Sequence, residues 1–260
     1  MDVERLRSLA DRYPAIDVVP SVESTNARLV ADAAGLADRT VLIAEEQTAG
    51  QGRRSRTWVS PAGTGLYLSV LLRPPLPAGR LSWLTLLAGV ALVRTARAAG
   101  AQAVLKWPND LLLGPDQRKG AGVLAEATQG AVVLGIGLNL RPLPADVPLG
   151  PGGLAPTSLA EAVGGDVDPT EIAVRLLTEL ADLEDAWRAA AGDPAAGGTH
   201  DEYTGYCVTI GQQVRVELQR GTVTGTALGI DPSGGLSLRA DDGSDQVISA
   251  GDVVHLRPAH

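Results

Sequence analysis

Between Ala103 and Leu140 four aliphatic runs follow one another: AVLKW, DLLL, GAGVLAEA and AVVLGIGLNL. Turns as short as GPDQRK separate them, and no crossover helix fits in such gaps. Strands joined this closely must run antiparallel, so the segment predicts a four-stranded meander over 103–107, 110–113, 120–127 and 131–140.

The rest of the chain fits around that meander. VLIAEE (41–46) and LYLSVLL (66–72) read as further strands. Residues 81–98 have helical spacing. Arg94 and Arg97 interrupt the apolar run from Leu81 to Ala99, which argues for a buried amphipathic helix rather than a membrane span. RPLPADVPLGPGGLAP reads as a loop. Asp168-Pro169-Thr170-Glu171 then opens a helix with an N-cap, a proline in the first turn and an acid at the third position. Leu176, Leu180, Leu183 and Trp187 give that helix one apolar face. AAAGDPAAGGTHDE (189–202) reads as a linker, and five short alternating segments beyond it predict a small β-barrel. The expected fold is α+β: a mixed, mostly antiparallel sheet with flanking helices over residues 1–205, and a small barrel over 206–260.

Charge narrows the function. A net charge of −8 disfavours broad nucleic-acid or membrane-surface binding, so any contact with a polyanion must be local. Cys207 is the sole cysteine, which permits no internal disulfide and no thiolate metal cluster. With an N-terminus lacking an apolar core, this predicts a cytoplasmic protein. Of 22 Lys and Arg residues only Lys106 and Lys119 are lysines. A chain that otherwise uses arginine keeps lysine where a compact ammonium on a thin stem is needed, or by chance.

Four stretches could hold a ligand. In AEEQTAGQGRRSRTW, Arg53, Arg54 and Arg56 gather without an acid between them, behind Gly50 and Gly52. A glycine-rich loop with forked cations suits a phosphate, and Trp58 can stack on a base or cover a ligand. A solvated basic loop is the plainer reading. LKWPNDLLL puts Lys106, Asn109 and Asp110 around a bend fixed by Pro108, where they could meet an adenine edge, a phosphate and a magnesium ion, or Asn109 and Asp110 could merely form a turn. Lys119 opens a strand followed by Gly120, Ala121 and Gly122. In GIGLNL, Gly135, Gly137 and Asn139 share one face by period two. Such a glycine floor admits a flat ligand or allows close strand packing. Ser24-Thr25-Asn26 can cap a helix or face a small polar ligand. The three histidines lie far in sequence from any elbow-like serine, so neither a Ser-His-Asp triad nor a histidine metal site is expected.

Taken in order and spacing, Ser24-Thr25-Asn26, EEQTAGQGRRSRTW, KWPND, KGAGVLAE and GIGLNL resemble the biotin–protein ligases. The likeness extends into IGQQVRVELQRGTVTGTALGIDPSGGL and VVHLRP, which are similar to that family's small SH3-like domain. Only 23 residues precede Ser24, too few for the helix-turn-helix that many of these ligases carry, so the resemblance is to the monofunctional type.

The resemblance implies a class II synthetase-like catalytic fold and a two-step reaction. Biotin and ATP, with Mg²⁺, form biotinyl-5′-AMP, and the biotinyl group then passes to a lysine of a biotin carboxyl carrier protein. It implies Ser24, Thr25 and Gln47 at the ureido end of biotin, with Asn26 and Gly50 also at biotin, and Tyr67, Gly122 and Gly137 along its ring and tail. Lys119 would bridge the biotin carboxylate and the α-phosphate, and Arg53 and Arg56 would clamp the phosphate; these three are the implied catalytic groups. Trp58, Asn109 and Asn139 would contact the adenylate, Lys106 and Asp110 would lie near phosphate and metal, and Arg257 would reach the nucleotide from the small domain.

Gln51 and Ser55 depart from the family, which usually has Arg and Gly there. The implied arginine loop repels itself and is expected to order only when ligand binds. Lipoate or octanoate ligases and transferases share the fold and are the nearest alternative. A non-catalytic module using the loop as a basic patch is the alternative from another class.

Overall fold

The computed structural model describes residues 1–256. Its main sheet has seven strands: β1 (Ala15–Val19), β2 (Thr40–Ala44), β3 (Gly65–Leu72), β4 (Ala103–Lys106), β5 (Asp110–Leu113), β6 (Arg118–Thr128) and β7 (Ala131–Asn139). Their order across the sheet is β1-β2-β3-β7-β6-β5-β4. The expected meander is present, with β4 to β7 joined antiparallel in sequence. Among these seven strands only β1 and β2 pair in parallel, and helix α2 (Thr25–Asp32) fills the crossover between them.

Helix α1 (Val3–Arg7) precedes the sheet, α3 (Trp83–Ala98) bridges its two halves, and α4 (Leu159–Val163), α5 (Pro169–Ala189) and α6 (Thr199–Tyr206) follow it. Period two divides β3. Leu66, Leu68, Val70 and Leu72 enter the large core with α3 and α5, whereas Leu71 joins Leu29 of α2 on the other face. α3 is the core helix the arginine-interrupted pattern predicts: Trp83 through Val93 are buried without a break, apart from the half-buried Thr85. Arg94 turns out to Glu179 (3.1 Å) and Glu202 (2.6 Å). Asp168 caps α5 as expected, accepting from Thr170 N and Glu171 N.

The second sheet holds β8 (Gln213–Glu217), β9 (Thr222–Ile230), β10 (Leu236–Ala240), β11 (Asp245–Ile248) and β12 (Asp252–His255), all antiparallel in the order β11-β10-β9-β8-β12. Its Val214, Val216, Leu236, Leu238 and Val253 continue the main core. Two indoles pin its 231–235 turn to the first sheet's layer: Trp83 Nε1 donates to Pro232 O (2.9 Å) and Trp107 Nε1 to Gly234 O (3.0 Å). One expectation fails here. Residues 189–202 are not simply a linker, because Thr199 onward forms α6, with Thr199 and Tyr203 buried and His200 bonded to Ile230 O. Glycine and polar residues suggest no periodicity, and packing against Trp83 supplies what propensity does not.

Candidate active site

A cavity of about 560 Å³ opens on the α2 face of the main sheet and is closed at one side by the second sheet. At its uncharged end Ser24 caps α2, accepting from Ala27 N at 3.4 Å. Thr25 donates twice to Gln47 Oε1, from its backbone N (2.9 Å) and its hydroxyl (3.1 Å), and Gln47 Nε2 donates to Ser60 Oγ (3.0 Å). Asn26 Nδ2 donates to Glu126 Oε2 (2.8 Å) and Leu124 O (3.2 Å). The single proton of Ser69 serves Thr25 Oγ1 or Asn26 Oδ1, at 2.7 and 2.6 Å. So Ser24 both caps the helix and lines the cavity.

The floor is glycine, as the period-two pattern implies. Gly122 and Gly137 face each other across β6 and β7, and the Trp58 ring lies on them. A Cβ on Gly137 would stand 2.5 Å from Trp58 Nε1, and one on Gly122 3.1 Å from Cζ3. Trp58 Nε1 and Asn139 Oδ1 are buried polar atoms without a protein partner, which suits a surface that meets a polar ligand. Asn139 is fixed by its other atom, Nδ2 donating to Thr157 O at 2.9 Å.

The other end is cationic. Lys119 Nζ stands 2.7 Å from Asp110 Oδ1 and 5.4 Å from the Trp58 ring centre. Lys106 is buried beside them. Burial, helped by the charge of Lys119, holds its ammonium below the ordinary lysine range despite the pull of Asp110. Asn109 orients this end, accepting from Arg53 Nη1 (3.2 Å) and donating to Val123 O (2.9 Å). Burial likewise depresses Arg53, which still carries its charge.

The arginine loop is closed as a hairpin by Gly52 N to Arg56 O (2.7 Å) and Trp58 N to Gly50 O (2.8 Å). Its charges, expected to repel without partners, have one: Arg54 and Arg56 both donate to Asp252 of β12.

Most predicted residues converge here: Ser24, Thr25, Asn26, Gln47, Arg53, Arg56, Trp58, Lys106, Asn109, Asp110, Lys119, Gly122, Gly137 and Asn139 all line the cavity. Two expected at biotin do not. Tyr67 turns its hydroxyl away to Pro61 O and Thr64, and Gly50 serves the hairpin, where a Cβ would lie 2.5 Å from Trp58 O. Asp110, expected near the metal, has its Oδ1 2.7 Å from Lys119 Nζ, and no group of three acidic, histidine or cysteine side chains able to hold a metal is found among the described residues. Arg257 lies outside the described residues. Sequence reasoning missed Asp252, Val253 and the apolar lip Leu143, Val147, Leu149 and Leu154. The lip had a signal, aliphatic residues spaced through a Pro/Gly-rich loop.

This arrangement can bring together two anions and hold an uncharged polar group at a distance from them. The chain is 43% identical to the biotin–[acetyl-CoA-carboxylase] ligase of Mycobacterium tuberculosis, over 96% of this chain and 95% of that one. The chain belongs to the biotin–protein ligase family. As a biotin–protein ligase it is an enzyme, and further likenesses agree. Residues 18–142 match the Biotin/lipoate A/B protein ligase family and 209–256 the Biotin protein ligase C terminal domain. The bifunctional ligase/repressor BirA of Bacillus subtilis is 34% identical over 90% of this ligase and 71% of its own length. A biotin protein ligase structure from Aquifex aeolicus, in complex with biotin and ATP, superposes with a TM-score of 0.75 at 26% identity, covering 94% of this ligase and 100% of that chain.

Proposed function

We propose that this ligase joins biotin to ATP in the cavity, forming biotinyl-5′-AMP and releasing pyrophosphate. The amine of a lysine on a biotin carboxyl carrier protein then takes the biotinyl group and AMP leaves. The observation that carries this reading is the two-ended cavity, with Ser24, Thr25 and Gln47 at an uncharged hydrogen-bonding end and both lysines, Arg53 and Arg56 at the other. Ser24, Thr25 and Gln47 hold the ureido group, supported by Asn26 through Ser69. The flat rings and tail lie along Gly122 and Gly137 once the Trp58 ring, which rests on both glycines, moves aside.

The carboxylate of biotin and the α-phosphate repel each other until fixed cations offset their charge. Lys119 bridges the two, while Arg53, Arg56 and Lys106 take the phosphates. Trp58, Asn109 and Asn139 meet the adenylate, with the unpartnered Trp58 Nε1 and Asn139 Oδ1 available to it. Magnesium enters with the triphosphate rather than as a resident ion, since a small hard cation keeps most of its ligands from phosphate and water. Asp110, one of the two carboxylates that line the cavity, would serve it once Lys119 turns to substrate. The division into a catalytic part, 1–205, and a C-terminal part, 206–260, is supported by the separation of the strands into two sheets. A single buried cysteine is consistent with a cytoplasmic setting.

Biotin-dependent ATP–pyrophosphate exchange tests the first step, and mass spectrometry of a carrier domain incubated with the enzyme, biotin and MgATP tests the second. Exchange with lipoate but not biotin would overturn the substrate assignment.

A further inference from the structure

The arginine loop turns its middle arginine away from the cavity. Arg54 (φ 57°, ψ 39°) and Ser55 (φ 58°) are both left-handed, a conformation that costs a non-glycine residue roughly 1–2 kcal/mol and persists only where the surroundings over-determine it. The surroundings are the second sheet. Arg54 Nη1 donates to Asp252 Oδ2 (3.0 Å) and to Glu217 O (3.3 Å), and its Nη2 donates to Leu218 O (2.6 Å). Asp252 sits on β12 directly opposite Glu217 of β8, and Leu218 follows Glu217, so the docking site is built at the end of one strand pair. The kink thereby separates the arginines: Arg53 enters the cavity toward Asn109, and Arg54 leaves it for the sheet.

Arg56 stands between the two. It lines the cavity, yet its Nη2 lies 2.6 Å from the same Asp252 oxygen that Arg54 uses. Asp252 is itself 8% exposed and lines the cavity, while the Arg54 and Arg56 side chains that meet it are 37% and 40% exposed, so the bridge is anchored on the buried carboxylate.

We propose that Arg54 and Asp252 are positioning residues, a strut from the second sheet that sets the loop so that Arg53 and Arg56 reach the phosphates. Arg56 exchanges Asp252 for phosphate when nucleotide binds. Arg54, outside the cavity, keeps the carboxylate compensated through that exchange, so that Asp252 does not repel the incoming anion. This rests on the adenylating function above.

The strut and simple competition predict opposite signs for one variant. Asp252→Asn removes a negative charge beside the phosphate end. If Asp252 only competed for Arg56, ATP would bind better. With the strut, Asp252→Asn and Arg54→Ala each raise the KM for ATP about tenfold, the size of one hydrogen-bonded charge pair, and leave the KM for biotin within about twofold. The double variant is no worse than the worse single one, and Asp252→Glu recovers most of the loss. The measurement is biotin-dependent pyrophosphate exchange on the full chain, with thermal unfolding recorded for each variant. An unchanged or lowered KM for ATP in Asp252→Asn overturns the strut, as do multiplicative defects in the double variant or a biotin KM rising in step with that for ATP. Wild-type exchange is scored first: its absence would remove the adenylating function and the strut with it, whereas its presence confines any failure to the strut.

Discussion

Lys119 Nζ and Asp110 Oδ1 stand 2.7 Å apart, with both side chains largely shielded from water. The pair holds the ammonium at the junction of the glycine floor and the cationic end, so an arriving carboxylate or phosphate meets a cation already in place. Lys119→Ala should lower adenylation at least about a hundredfold, the usual cost of a lost preorganised donor. Lys119→Arg should not rescue it, because a planar fork is too wide for a site walled by Asp110 and the Trp58 ring. Pyrophosphate exchange checks both, and activity within threefold of wild type in the alanine variant would take Lys119 out of the chemistry.

Gly135 makes room for a side chain from another element. A Cβ there would lie 2.2 Å from Asn26 Oδ1, inside the cluster that ties α2 to β3 through Ser69. Gly135→Ala should therefore cost about 1–3 kcal/mol in urea denaturation, the range for overpacking. It should also weaken biotin binding at the Thr25 end, and ATP much less. Equal weakening of both would point to general distortion instead.

What the sequence made legible was whatever local chemistry alone decides. Turns too short for a crossover dictated the β4–β7 meander, and period two put Gly135, Gly137 and Asn139 on one face. The two lysines stood out because all the other Lys and Arg positions are arginine, and both line the cavity. What stayed hidden depends on partners distant in the chain. β1 is an edge strand with polar Asp17 at its centre, and it gains its identity only by pairing with β2 across α2. α6 exists because Trp83 and the second sheet pack against it. Asp252 is one of 30 acidic residues, and nothing near it in sequence says that Arg54 and Arg56 will meet it.

Glu184 of α5 is 1% exposed and is met by three cationic contacts from two arginines. Arg39 Nε donates at 3.1 Å, its Nη2 bonds the same oxygen, and Arg188 bonds the other. Glu184→Ala leaves two partly buried guanidiniums short of a partner. Each keeps a second acid, Asp185 for Arg39 and Asp38 for Arg188, so the loss should fall near the lower end of the usual range, about 3 kcal/mol. Urea denaturation measures it. A loss below about 1 kcal/mol would mean that Asp185 and Asp38 carry the network alone.

His255 should impose an acid limit on stability. Burial, reinforced by the nearby charge of Lys106, holds its imidazole down to about 4, and Thr209 Oγ1 lies 3.1 Å from Nε2. The unfolded chain takes up this proton near the ordinary histidine value of about 6.5, while the folded protein refuses it until about 4. Between those values the unfolded state binds more protons, so stability falls as pH drops through the window and this group adds nothing further below it. His200 works in the opposite direction. Its bond to Ile230 O, then Asp201, raises its pKa, so its contribution is present at low pH and lost as pH rises through the folded value. Asp38 and Asp252 are both held below the ordinary carboxylate range, because their arginine bonds outweigh burial, and their stabilisation is lost only at more acidic pH. Comparing wild type with His255→Gln cancels these shared terms. The expected result is a thermal midpoint that falls less steeply from pH 6.5 to pH 4 in the variant, with the two curves parallel above pH 7. Parallel curves throughout would show that the imidazole titrates alike in both states and that Lys106 does not have a neutral ring behind it.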